Sequence, residues 1–319
     1  MNKRTRRPRV VVIGAVAVDV KAHSFGVLVR NADVPGRVQV TLGGVARNVA
    51  KNLALLGVDL ALMSVVGDDE FGRMLRDDLS HAGVNIDNLM IVRGQRTAMW
   101  VGILNARGDL DVGVFGGGIF DTLTPDFARE RAAVMADADL IAVDATLPRA
   151  TIDAVVALAK ANRVPLCLNP ASVARAQTVA DCVGDFALVT ANALEAQSLT
   201  GQTIRSIDDA KGAAHALIVR GVQRAIVTLG AEGIVYADAR ETRHAPALPT
   251  RVVDTTGAGD ALAAMFVLRH LQGRALDETL ARALRAAAIT AACEESVSEG
   301  MASLAREAKK GSKARRAEA

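Results

Sequence analysis

The chain has 319 residues, half of them hydrophobic and 23% charged, with a net charge of +3; this suits a globular protein with a large core and excludes a disordered or fibrous chain. No run of about eighteen apolar residues occurs, so no membrane-spanning helix is predicted, and residues 1–9 lead into a core-like strand without a signal-peptide pattern, so a cytoplasmic location is expected. Cys167, Cys182 and Cys293 are odd in number and form no C-x-x-C pair, so neither a disulfide framework nor a zinc site is predicted.

In chain order, a strand is predicted from Val10 to Asp19, a helix over 44–56, a strand from Leu60 to Val66 and a helix from Gly72 to Ala82. After an interruption the pattern resumes. A strand from Leu140 to Asp144, a helix from Arg149 to Ala161, strands at 165–169 and 186–190, a helix over 208–220 and a strand at 225–229 follow. Arg251-Val252-Val253 reads as a short strand before an apolar helix over 261–268. Such alternation predicts a mostly parallel sheet with helices on both faces and ligands beyond the carboxyl ends of its strands. Two segments, about 20–42 and 95–118, depart from it and read as a small β lid: residues 33–41 are extended, and 97–104 with 110–115 form a hairpin turning at 105–109.

Charge is unevenly spread. Residues 1–9 hold five basic groups and no acid, and residues 306–319 hold six basic and two acidic groups, so the tails carry +9 and the rest of the chain −6. Basic tails can meet nucleic acid or membrane, but no aromatic residue interleaves these. They read as disordered, solvated ends of a single domain spanning 10–305, with neither nucleic acid nor membrane as partner.

Two glycine pairs open helices. In the first, Gly43-Gly44 precedes a helix whose buried stripe is Val45, Val49, Leu53 and Leu56, with Gly44, Asn48 and Asn52 along an adjoining face. In the second, Gly257, Ala258 and Gly259 can bring unpartnered helix-start amides against an anion. Asp260 then places a negative charge beside an anion site, which fits a general base facing an attacking hydroxyl while the amides hold a transferred phosphoryl group. Taken alone, the same loop also reads as a tight turn with an acidic residue in the first helical turn.

The two loops, in this order and separation, resemble the paired signatures of the ribokinase-like (PfkB) family of carbohydrate and nucleoside kinases. Asn192-Ala193-Leu194-Glu195 is similar to the family's N-x-x-E element, and Thr228 to Gly233 to the strand and turn flanking its nucleotide pocket. The resemblance covers nearly the whole chain. It implies a three-layer α/β/α ribokinase-like fold, ATP and Mg2+ as cofactors, and a lid that covers the sugar and joins two copies in a homodimer. It implies Asp260 as general base, with Gly257, Ala258 and Gly259 as anion hole. Asp19, Gly43, Gly44 and Asn48 would bind substrate, while Asn192, Thr228 and Gly230, with Gly257 and Gly259, would bind the nucleotide. Glu195 would act on Mg2+ through water, and Asp254 and Thr256 would lend backbone carbonyls to a monovalent cation such as K+.

Within the family, Gly43 to Gly57 looks most like pseudouridine kinases, implying transfer to the 5′-hydroxyl of pseudouridine. A ribokinase or another sugar or nucleoside kinase is the nearest rival, and a non-catalytic sugar sensor of the same fold lies further off. Three positions depart from the family pattern: Asn169-Pro170 where relatives often have Asp-Pro, Thr190 in place of a frequent lysine, and the bare Gly116-Gly117-Gly118 run after Phe115. Other chemistries lack their motifs. No Gly-Lys dipeptide supports a P-loop, no G-x-G-x-x-G follows the first strand, and no G-x-S-x-G elbow occurs.

Overall fold

The computed structural model describes residues 8–107 and 110–305. The basic tail after 305, residues 1–7 and part of the expected 105–109 turn lie outside the described residues. In chain order the elements are β1 (Arg9–Ile13), β2 (Ala17–Ser24), β3 (Gly36–Gly43), α1 (Val45–Leu55), β4 (Asp59–Gly67), α2 (Glu70–His81), β5 (Asn85–Val92), β6 (Met99–Leu104) and β7 (Leu110–Gly116). Next come α3 (Pro125–Glu130), α4 (Ala132–Ala136), β8 (Leu140–Asp144), α5 (Arg149–Asn162), β9 (Leu166–Asn169), α6 (Val173–Val179), β10 (Leu188–Asn192) and α7 (Ala193–Thr200). The chain continues with α8 (Ile207–Val219), β11 (Arg224–Thr228), β12 (Ile234–Asp238), β13 (Thr242–Ala245), α9 (Ala258–Gln272) and α10 (Leu276–Ala291).

Nine strands form one sheet in the order β13-β12-β11-β10-β9-β8-β1-β4-β5, parallel except for the β11-β12-β13 meander. The central strand β1 explains the layering. Val11 and Ile13 pack into one core and Val10 and Val12 into the other, so a continuous apolar run feeds both faces. Because the strands from β4 through β11 run the same way, Gly14, Asp144, Asn169, Asn192 and Thr228 fall at or just past the same sheet edge. Strand order reverses between β1 and β8, which opens a crevice there.

The expected strand from Val10 to Asp19 is two strands. The chain turns at Gly14, whose φ is 149°, and a Cβ there would stand 2.1 Å from Asp144 Oδ2. Ala17 to Ser24 then joins the four-stranded lid sheet, ordered β3-β2-β6-β7. Asp19 therefore lies inside a lid strand, not at a core strand's end. Both sheets need apolar residues on their side of the turn, so hydrophobicity runs on unbroken through it. Arg9, counted with the tail, starts β1, and residues 251–253 form a loop instead of a short strand, with Val252 and Val253 exposed. Strands β5, β12 and β13 and helix α10, which the sequence pattern does not predict, complete the sheet and its cover.

Candidate active site

Asp260 sits in the first turn of α9, 9% exposed, and both of its oxygens meet amide groups. Asn48 Nδ2 donates to Oδ2 at 2.9 Å and Asn169 Nδ2 to Oδ1 at 3.2 Å. Burial raises the Asp260 carboxyl to about 7; the Asn48 bond works against that rise, while the charges of Asp144, Glu195 and Asp19 add to it. The group is thus poised to exchange a proton near neutrality, as a general base requires.

The turn before it is built from glycine by necessity. Gly257 has φ 80°, and a Cβ there would stand 1.9 Å from the Ser296 carbonyl oxygen. Of the three amides expected to hold an anion, Ala258 N–H is spent inside the turn on Thr255 O at 3.2 Å. Those of Gly257 and Gly259 donate to nothing among the described residues, and the space beside Gly259 is open.

The other glycine pair serves different ends. Gly44, φ 93°, passes so close to residues 15–17 that a Cβ would stand 2.5 Å from Ala15 O. At Gly43 a Cβ would stand 2.2 Å from Asp19 Oδ2, so the missing side chain makes room for that carboxylate. In helix α1 the amides of Ala46 and Arg47 turn inward, Arg47 N–H donating to the Ala15 carbonyl at 3.1 Å. Asp144, fully buried at the end of β8, accepts from Ala15 N–H at 2.7 Å and Ala46 N–H at 3.1 Å through Oδ2, and from Thr146 through Oδ1. The sequence marks Asp144 only as the end of a strand, and no local signal identifies it as this hub.

Across the lid, register aligns Thr41, Asp19, Trp100 and Phe115 on one face of four adjacent strands. Burial raises the Asp19 carboxyl to about 6 against the opposing charges of Lys21 and Arg47. The Thr41 hydroxyl is buried with no partner among the described residues. The Trp100 ring lies over two glycines, since a Cβ on Gly102 would stand 2.2 Å from it and one on Gly113 3.3 Å. Phe115 likewise lies over Gly117 and stacks on Phe120 with centroids 6.2 Å apart. Within the glycine run at 116–118, Gly117 thus gives an aromatic ring room.

Asn192 and Glu195 cap α7 reciprocally: the Asn192 side chain accepts from Glu195 N–H at 2.9 Å and Glu195 Oε2 from Asn192 N–H at 2.9 Å. Burial raises the Glu195 carboxyl although the Asn192 amide opposes it. Thr228 is the register partner of Asn192, and Gly230 turns the chain with φ 59°. No cluster of three or more metal-ligating side chains occurs among the described residues. The side chains of Asp254 and Thr256 are occupied: both accept from the buried ammonium of Lys21, Thr256 at 2.6 Å.

The model of the pfkB family carbohydrate kinases matches residues 7–300. The chain belongs to this family. Among similar PfkB proteins, a pseudouridine kinase of Escherichia coli (strain K12) is 29% identical over 286 residues, 89% of this chain and 91% of that one. A guanosine-inosine kinase of Exiguobacterium acetylicum is 28% identical over 292 residues, covering 90% and 95% of the two chains. The structure of Arabidopsis thaliana ribokinase complexed with ribose and ATP matches with a TM-score of 0.81 over 94% of this chain and 99% of that one, at 21% identity, which shows the ribokinase-like fold alone. This PfkB member is an ATP-dependent sugar or nucleoside kinase. No helix among its described residues is long and apolar enough to cross a membrane.

Proposed function

We propose that this kinase phosphorylates the 5′-hydroxyl of a nucleoside, with pseudouridine as the substrate. The observation that carries the reading is the Trp100 ring laid over Gly102 and Gly113, in register with Asp19. A free sugar can offer the ring only C–H groups, whereas a nucleobase offers a full π face, and base–aromatic stacking is worth about 1–3 kcal/mol. The similarity to a pseudouridine kinase supports the choice of nucleoside.

In this reading the base stacks on Trp100 beside Phe115, and the Asp19 carboxylate accepts from the ribose hydroxyls with Gly43 and Gly44 framing it. Asp260 takes the proton of the 5′-hydroxyl as the oxygen attacks the terminal phosphorus of ATP and the bond from that phosphorus to the bridging oxygen breaks, releasing ADP. The free amides of Gly257 and Gly259 stabilise the charge on the transferred group, with Ala258 as their turn. Asn48 holds Asp260 in place. Thr228, Gly230 and Asn192 would border the nucleotide, and Glu195, with one oxygen committed to its cap, would act on magnesium through water. Magnesium supplies charge neutralisation between the phosphates.

The opposite lid face carries the exposed Val38, Val40, Val112 and Val114. Such an apolar sheet face supports a homodimer through the lid, which light scattering of the purified chain tests.

The deciding experiment follows ADP release with ATP and Mg2+ on pseudouridine, uridine, guanosine, inosine, ribose and fructose. Preference for pseudouridine supports the proposal. Preference for ribose over every nucleoside overturns it.

A further inference from the structure

Lys21 stands two residues beyond Asp19 on β2 and so projects from the same face of the lid. Its side chain is 7% exposed, and its ammonium is enclosed by the Asp254 carboxylate and the Thr256 hydroxyl. The remaining Asp254 oxygen accepts from Thr256 N–H at 2.8 Å, which closes the loop around the charge. Three residues after Asp254 comes Gly257, whose amide is free. A fixed positive charge therefore stands beside the turn read here as the anion hole, carried on the strand that also carries Asp19.

We propose that the Lys21 ammonium is the resident monovalent cation of the 254–256 loop, so that turnover needs no added potassium. The inference rests on the kinase reading of this site and not on which nucleoside is bound. The side-chain oxygens of Asp254 and Thr256 receive the donors of an ammonium, which has three N–H groups and no acceptor, and its charge would repel a second cation placed at the backbone carbonyls of the same two residues. A buried lysine without such partners would be costly, so the three groups hold one another in place. Tethering also raises the local concentration of the charge far above that of a free ion. Lys21 is thus a positioning residue: it touches neither reacting atom, orders the loop that presents the amides, and ties that loop to the lid.

The test compares wild type and Lys21→Met in potassium chloride, methylammonium chloride and tetramethylammonium chloride at equal ionic strength, by ADP release and by thermal melting. Wild-type kcat is expected to agree within twofold across the three salts, with unchanged melting temperature. Lys21→Met is expected to lose at least tenfold in kcat in tetramethylammonium and to regain activity and melting temperature in potassium or methylammonium. Lys21→Arg should keep more activity than the methionine variant. Activation of wild type by potassium of fivefold or more overturns the proposal. So does a methionine variant with wild-type kcat in tetramethylammonium, or one whose loss no small cation repairs. If Lys21→Met does not fold, the wild-type arms still decide. Absence of wild-type ADP release on every substrate would count against the kinase reading of the site, while melting would still report on the cation.

Discussion

Arg47 settles which end of the Asn48 side chain faces the Asp260 carboxylate. Its Nη1 donates to Asn48 Oδ1 at 3.0 Å, which leaves Nδ2 to donate to Asp260 at 2.9 Å. Arg47 is itself held by Asp78 at 2.7 Å and by the Leu42 carbonyl at 2.9 Å. Asn48→Leu removes a bond that lowers the Asp260 pKa, so the acidic limb of the rate profile should move above about 7. A pH series of kcat/KM reads the shift, and an unmoved limb would refute it.

Asp260 must be ionised to accept a proton, so kcat/KM should rise with pH and level off above about 7. Asp260→Asn should lower kcat by about 10²- to 10⁴-fold while nucleoside binding persists by calorimetry. Stability should move the other way. Burial lifts this carboxyl from 3.8 to about 7, so between those values the folded chain holds a proton that the unfolded chain has released. Its contribution is full below pH 3.8 and is lost as pH rises to about 7. The asparagine variant should therefore melt higher than wild type at pH 8, with a flatter dependence below it.

Asn169→Asp should act in the same direction on the base. Asn169 Nδ2 is 3.2 Å from Asp260 Oδ1, and a carboxylate there would add a like charge and push the Asp260 pKa further up. Turnover at pH 7 should fall and recover at pH 9. Loss that persists at pH 9 would mean that the amide does something other than tune the base.

Trp100→Ala should separate nucleoside from sugar. Losing the stacking surface should weaken nucleoside binding by about 1–3 kcal/mol, roughly five- to 150-fold in KM, while any slow turnover of ribose should barely change. Equal effects on both would remove the aromatic platform as a determinant of specificity.

What the sequence discloses is local. A glycine pair, an apolar period of 3.6 and a closing glycine are contained within fifteen residues, so α1 and the Gly257–Asp260 turn are legible from residue order alone. Lys21 is not legible as a site residue, and Asn169 stands out only as a departure from the family pattern, because what they touch depends on which lid strand lies over which loop and which strand end faces α9. The split at Gly14 is hidden for a related reason: both sheets need apolar residues there. Asn192 and Glu195 stand out by position, whereas their mutual capping emerges only with α7 in place. The spent amide of Ala258 depends on the tightness of one turn, which residue types do not specify.

Asp144 bears on how the fold tells two similar places apart. The chain contains two glycine-opened helix starts facing the same edge, and a phosphate could in principle settle at either. At α1 the position is already taken by an internal anion, the Asp144 carboxylate seated on the amides of Ala15 and Ala46. The Asp144 carboxylate thus fills one socket from within, whereas the amides of Gly257 and Gly259 at the other have no acceptor among the described residues. Loss of that plug in an Asp144→Asn chain would create competition between two docking points, and nonproductive binding of ATP would be the form it takes.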